Sequence, residues 1–174
     1  MSRPIEKLFL LGVTAAFVGV TAYGVSLATE PAATAKPVAT CERQQLAEGE
    51  ELTSNLVTVA VYNASDRAGL AATVRTSMIN RGFMVDTVGN SPSKVVPTNI
   101  AILVNDKNDP RAKLIAEQFK GDIEYAPSDI DTKPGVIPIL IGQDIAGGVD
   151  KAPTSLKLEK SITVCVPGLP PVDN

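Results

Sequence analysis

The 174-residue chain contains no histidine and no tryptophan. Without histidine there can be no Ser–His or Cys–His catalytic pair and no His-ligated metal site. Aromatic residues make up 4% of the sequence, so the core must be aliphatic and there is no aromatic platform for stacking sugars or bases. Cysteine is scarce: Cys41 and Cys165 stand far apart, and neither belongs to the CxxC pattern of redox or metal-binding motifs. The formal net charge is −3, and beyond Arg3, Glu6 and Lys7 the chain carries 14 basic against 18 acidic residues. No basic run survives there, which excludes nucleic acid as a partner. The Asn63–Gly69 turn holds a single glycine and no GK[ST], so it is not a nucleotide-binding loop. Asp129 and Asp131, with Asp122 and Glu124 upstream, lack the glycine and closing glutamate of a calcium loop and read as a solvated acidic loop. No metal and no cofactor is implied, and no nucleophile motif marks a catalytic residue.

What is present begins with an uncharged apolar run from Leu8 to Thr29, preceded by Arg3 and Lys7 and followed by Glu30. About 20 such residues cross a bilayer as a helix. The positive flank then leaves residues 1–7 in the cytoplasm and sends everything after 29 outside. A cleaved signal peptide is the alternative, since Ser26-Leu27-Ala28 resembles a cleavage site, although the run exceeds an ordinary signal core. Either way the domain is exported. Residues 30–54, with Pro31, Pro37 and an acidic stretch from Glu42 to Glu51, read as an extracytoplasmic linker. Thr40 before Cys41 and the long gap after the apolar run argue against a lipid-modified cysteine. In an exported chain two cysteines imply a Cys41–Cys165 disulfide, with free or intermolecular thiols as the alternative.

The globular region spans 55–146. Val57, Val59 and Val61 alternate with Thr58, Ala60 and Tyr62, which is the period of a strand. Ser65 or Asp66 is placed to cap a helix whose apolar stripe is Leu70, Ala71, Val74 and Met78, with Arg81 near its end and Gly82 beyond it. A strand over 83–88 follows, and Gly89 to Thr98 is a loop. The pattern then repeats about 40 residues on: a strand around Ile100 and Ile102, Asp109 as N-cap with Pro110 at the first helical position, a stripe of Ala112, Ile115, Ala116 and Phe119, then Gly121 and a strand at Ile123 and Tyr125. These two βαβ-like units predict an α/β fold, a small two-layer sandwich with both helices on one face. Val136 to Ile141 is a further strand, assigned to an edge or bulge because Pro138 removes a ladder donor. Gly147-Gly148 closes the compact region, and the 147–174 extension holds one last strand at Ile162, Val164 and Val166.

Candidate contact residues are those of the two strand-to-loop junctions. Asn63, Ser65, Asp66 and Gly69 lie in the first turn, and Gly142 and Asp144 follow the Pro138 strand. Each can equally serve the backbone of its own turn or cap.

The segments VAVYNASDRAGLAATVRTSMINRGFMVDTVGN, TNIAILVN and RAKLIAEQF, followed by Gly142-Gln143-Asp144, resemble the LytR C-terminal domain family over about Leu56 to Ala146. Gly69-Leu70-Ala71 and Gly82-Phe83-Met84-Val85 match its pattern, while Ala64 stands where the family commonly has glycine. The resemblance is to the actinobacterial form that stands alone behind a membrane anchor, without a phosphotransferase domain. It implies a non-enzymatic, extracytoplasmic role in cell envelope integrity. The expected partners are the cytoplasmic membrane through the N-terminal helix and either envelope-assembly proteins or cell-wall glycan.

Overall fold

The computed structural model describes residues 41–166; the apolar run 8–29, the linker up to residue 40 and the proline-rich C-terminal tail lie outside the described residues. Among the described residues no helix is long and apolar enough to cross a membrane. Across these described residues nine strands and two α-helices follow one another: β1 Glu42–Leu46, β2 Glu51–Thr53, β3 Thr58–Asn63, α1 Leu70–Asn80, β4 Met84–Asn90, β5 Ile100–Leu103, α2 Pro110–Ala116, β6 Ile123–Ala126, β7 Val136–Ile141, β8 Ser155–Lys157 and β9 Ile162–Val166. A 3₁₀ turn, Ser54–Leu56, leads into β3.

The central sheet has the order β4-β3-β7-β5-β6. β3 pairs in parallel with β4 around α1, and β5 pairs in parallel with β6 around α2, so both expected strand–helix–strand units form. They do not meet each other. β7 runs between them, parallel to β3 and antiparallel to β5, and makes the sheet mixed. The edge position inferred from Pro138 is therefore corrected: β7 is the central strand. Its run VIPILI does not alternate, as befits a strand buried on both faces. Gly142 N donates to Asn99 O at 2.7 Å. Counting back in twos, Leu140 and Pro138 also turn their backbones toward β5. The β5–β7 ladder stops at Ile102 opposite Ile139, one step short of Pro138. The register places Pro138 opposite Leu103, the last residue of β5, so its missing N–H costs one bond at the end of the ladder.

One face of the sheet packs on the helices. Val57, Val59, Val61, Ile100, Ile102, Ile137, Ile139 and Ile141 meet Ala71, Val74 and Met78 of α1 and Ala112 and Ile115 of α2. On the other face Ala60, Tyr62, Ala101, Leu103 and Leu140 are covered by loop side chains, among them Val95 and Ile130. The sandwich thus has its two expected layers of regular structure, with two loops, 91–97 and 127–135, closing the second face.

Residues 42–53, expected to be linker, form β1 and β2 instead. β1 pairs with β9 and β2 with β8, both antiparallel, and Leu52 is wholly buried. Leu46, Leu158 and Val164 join the same core as the helices. The 147–166 segment likewise carries two strands where one was expected. An acidic, aperiodic stretch is ordered here because its partners lie more than a hundred residues away. The expected disulfide is present between Cys41 and Cys165, with Cα atoms 5.3 Å apart and within the usual span. It closes a separation of 124 residues, a loop large enough to contribute about 5 kcal/mol in the chain-entropy model. Gly135, at φ 85°, lies so close to Cys165 that a Cβ there would overlap it, and Cys165 Sγ sits 3.1 Å from Pro134 O. The covalent clasp is thereby packed against the turn that starts β7.

A second link was not visible in the sequence. Gln118, just past α2, is completely buried. Its Nε2 donates to Leu114 O at 2.9 Å and Pro153 O at 2.8 Å, and its Oε1 accepts from Arg81 Nη1 at 3.2 Å. Arg81, at the C-cap of α1, also donates to Gln118 O at 2.9 Å and to Val149 O at 2.6 Å. Arg81 thus ties the ends of both helices to the segment that leads into β8. Replacing Gln118 by Leu keeps the volume but strands Pro153 O and part of the guanidinium, so we expect a loss of about 2–3 kcal/mol in urea denaturation; a loss under about 0.5 kcal/mol would remove the hub role.

Candidate functional site

β3 and β4 end side by side, with Asn63 opposite Asn90. Their C-terminal ends open into a cleft of about 450 Å³ lined by Asn63, Ala64, Ser65, Asp66 and Ala68 from one side and by Asn90, Ser91, Ser93, Val95 and Val96 from the other. The crevice beyond the carboxyl ends of parallel strands is where open α/β sheets bind their ligands.

The first wall is a self-contained turn. Asn63 Oδ1 accepts from Ser65 N at 3.2 Å and from Ser65 Oγ at 2.8 Å, and Asn63 Nδ2 donates to Arg67 O at 2.8 Å. Ser65 Oγ in turn accepts from Arg67 N at 3.2 Å. The helix cap expected from Ser65 or Asp66 is corrected: α1 starts at Leu70, its N-cap is Gly69 at φ 81°, and no side chain caps it. Local side-chain-to-backbone bonds have captured Ser65, while Asp66 stands exposed on the cleft wall. The second helix does start as expected, with Asp109 Oδ1 accepting from Arg111 N at 2.9 Å.

Of the six candidate residues, the structure brings Asn63, Ser65 and Asp66 to the cleft and leaves Gly69, Gly142 and Asp144 off its lining. Gly142 and Asp144 are bound to the neighbouring loop through their backbones: Gly142 N to Asn99 O, and Asp144 N to Thr98 O at 2.9 Å. A Cβ on Gly142 would overlap the carbonyl oxygens of Pro97 and Thr98, so glycine is required there for close backbone approach. Gln143, between them, is what reaches the site. Its Oε1 accepts from Asp66 N at 3.2 Å and its backbone O accepts from Arg67 Nη1 at 3.2 Å, pinning the turn.

The second wall, 90–96, escaped sequence reasoning. The available signal was topological, since a loop following the strand parallel to β3 must lie beside the Asn63 turn. Asp129 holds this loop in place. Its carboxylate accepts from Ser93 Oγ at 2.6 Å and from Lys94 N at 2.9 Å. These bonds hold its pKa below the ordinary 3.8, the Ser93 hydroxyl being the larger cause. The acidic loop is thus a clasp between the two loops that cover the sheet. Asp86 on β4 makes a second one with Lys133 Nζ at 2.6 Å, and its pKa is likewise lowered, chiefly by that contact and then by Thr87. A serine beside a carboxylate could suggest a nucleophile and its base. The depressed pKa of Asp129 makes it a poor proton acceptor, and Ser65 Oγ donates to an amide oxygen that cannot take a proton.

A family model described as LytR cell envelope-related transcriptional attenuator (LytR_C) matches residues 56–144. No curated protein matches the chain. Among solved structures, the soluble domain of a conserved hypothetical secreted protein from Mycobacterium marinum, an Rv2700 ortholog, is similar at 19% identity and TM-score 0.47, over 61% of this chain and 70% of that one.

Both depressed carboxyls contribute stability that is complete above the unfolded value of 3.8 and lost as pH falls through the lower folded value. NMR titration of the Lys94 amide should therefore show the 91–97 loop released with a midpoint below 3.8. Asp129→Ala should release it at neutral pH while the β3 amides stay protected. A midpoint at or above the ordinary carboxylate value would sink the clasp.

Proposed function

The chain belongs to the LytR_C family, and from that premise we propose that it is a non-enzymatic binding module of the cell envelope, held outside the cytoplasmic membrane and acting through contacts with envelope-assembly proteins. The cleft at the ends of β3 and β4 is its contact site. The observation that carries this reading is that the cleft's polar groups are engaged in its own walls: Asn63 with Ser65 and Arg67, Ser93 with Asp129. A site so arranged presents a fixed shape and no activated nucleophile. Export is supported by the Leu8–Thr29 run behind Arg3 and Lys7 and by the Cys41–Cys165 bond, which persists in oxidising compartments. Attachment through residues 8–29 would leave the domain beside the membrane surface at the end of a linker.

Direct binding of wall glycan is the second reading, favoured by Asn90 and Ser91, polar lining residues that stand outside those bonds. The two are separated by photo-crosslinking in cells from Asp66 and Val96, paired with sedimentation of the domain with protein-free wall sacculi. Crosslinks to protein and no sedimentation are expected. Sedimentation with bare sacculi, lost on Asn90→Ala, would replace protein by glycan as the ligand.

A further inference from the structure

Two strands lie at the edges of the central sheet, β4 and β6, and the chain treats them differently. β6 is four residues long, ends at Pro127, and has Glu124 turned back to accept from Thr98 N. β4 is seven residues long. Its first half is blunted in the usual way, by a register shift that leaves Asp86 unpaired with β3 and by the Asp86–Lys133 ion pair. Its second half, Thr87 to Asn90, has no charge and no proline, and Val88 is 37% exposed.

Ser91 N donates to Asn63 O on the β3 side. Stepping back in twos turns Gly89 and Thr87 toward β3 and leaves the backbone N–H and C=O of Asn90 and Val88 facing outward. Among the described residues no strand pairs with that edge. A spaced row of alternating backbone donors and acceptors is matched by one chemistry, another extended polypeptide. The edge is also continuous with the cleft, since Asn90 and Ser91 belong to both. At the far wall of that cleft stands the exposed Asp66, and no lining residue is a cation.

We infer that the Thr87–Asn90 edge of β4 is a strand-addition site, at which an extended segment of a partner protein extends the sheet and carries a basic side chain to Asp66. This rests on the protein-binding reading above and specifies its chemistry: the partner contributes main chain, and the cleft selects the side chain that follows.

The test uses the full-length protein against a displayed library of short random peptides. Selected peptides should contain Lys or Arg, and on binding they should slow hydrogen exchange at the Val88 and Asn90 amides. Val88→Pro removes the outward N–H without touching the β3 ladder and should weaken those peptides about three- to tenfold, as expected for the loss of one hydrogen bond. Val88→Lys, which obstructs the edge while keeping the backbone intact, should do the same, and Asp66→Asn should remove the preference for basic residues. A library that yields no binder, binders that leave Val88 and Asn90 unprotected, or protection that grows with protein concentration in the absence of peptide would each overturn the inference, the last by assigning the edge to a second copy of the chain. If crosslinks from Asp66 still reach protein while no peptide protects β4, strand addition fails and the protein-binding reading stands. If bare sacculi take up the domain, that reading itself falls.

Discussion

The placement of β7 between two βαβ units is the constraint on which the rest of the structure depends. Each unit is formed locally, by strands that pair across a single helix. Neither unit touches the other's strands, so one sheet exists only because the apolar run Val136–Ile141 bonds to β3 on one side and β5 on the other. It runs parallel to the first unit and antiparallel to the second. The C-terminal ends of β3, β4 and β7 therefore gather at one end of the sheet and those of β5 and β6 at the other. The cleft owes its position to that arrangement. Gly142, leaving β7 against the carbonyls of Pro97 and Thr98, brings Gln143 to the Asn63 turn.

The two units were legible because their signals are local. Alternation at Val57–Tyr62, the stripe of Ala71, Val74 and Met78, and Asp109-Pro110 at the start of α2 each act within a few residues. What was misread involves partners distant in sequence. Pro138 argued for an edge, yet the uninterrupted apolar character of its strand was the stronger indication, because an edge strand has no need of six consecutive buried or half-buried apolar residues. A proline in a central strand is tolerated at the end of a ladder, where the one lost bond interrupts no pairing beyond it. The same logic applies to β1 and β2. Glu42 to Thr53 has no periodicity of its own, and its order comes from β9 and β8 and from Leu52 entering the core.

The disulfide acts where those distant pairings are weakest. β1 and β9 form a two-stranded ribbon outside the main sheet, and such a ribbon is marginal alone. Joining Cys41 to Cys165 locks the two strands together at the Glu42/Val166 end of the ribbon, and Gly135 lets the bond press on the turn before β7. A load applied at Cys41 is shared directly with Cys165, so it does not have to peel β1 away first. Arg81 and Gln118 make a second tie, where α1, α2 and the path to β8 converge.

The candidate site was half legible for a related reason. Asn63, Ser65 and Asp66 could be picked out because a strand-to-helix turn is a local object, whereas Ser91, Ser93 and Val96 join them only through the parallel pairing of β4 with β3. The residue types that first suggest chemistry are mostly committed to architecture. Asn63 and Ser65 complete a turn, Asp129 clasps a loop, and Gly142 clears a backbone crossing. Among the described residues what is left over is shape, the exposed carboxylate of Asp66 and a stretch of sheet edge with no strand on it. The proposed contact with a partner draws on those three, and a domain fastened by a disulfide and a buried polar hub would present them without changing shape.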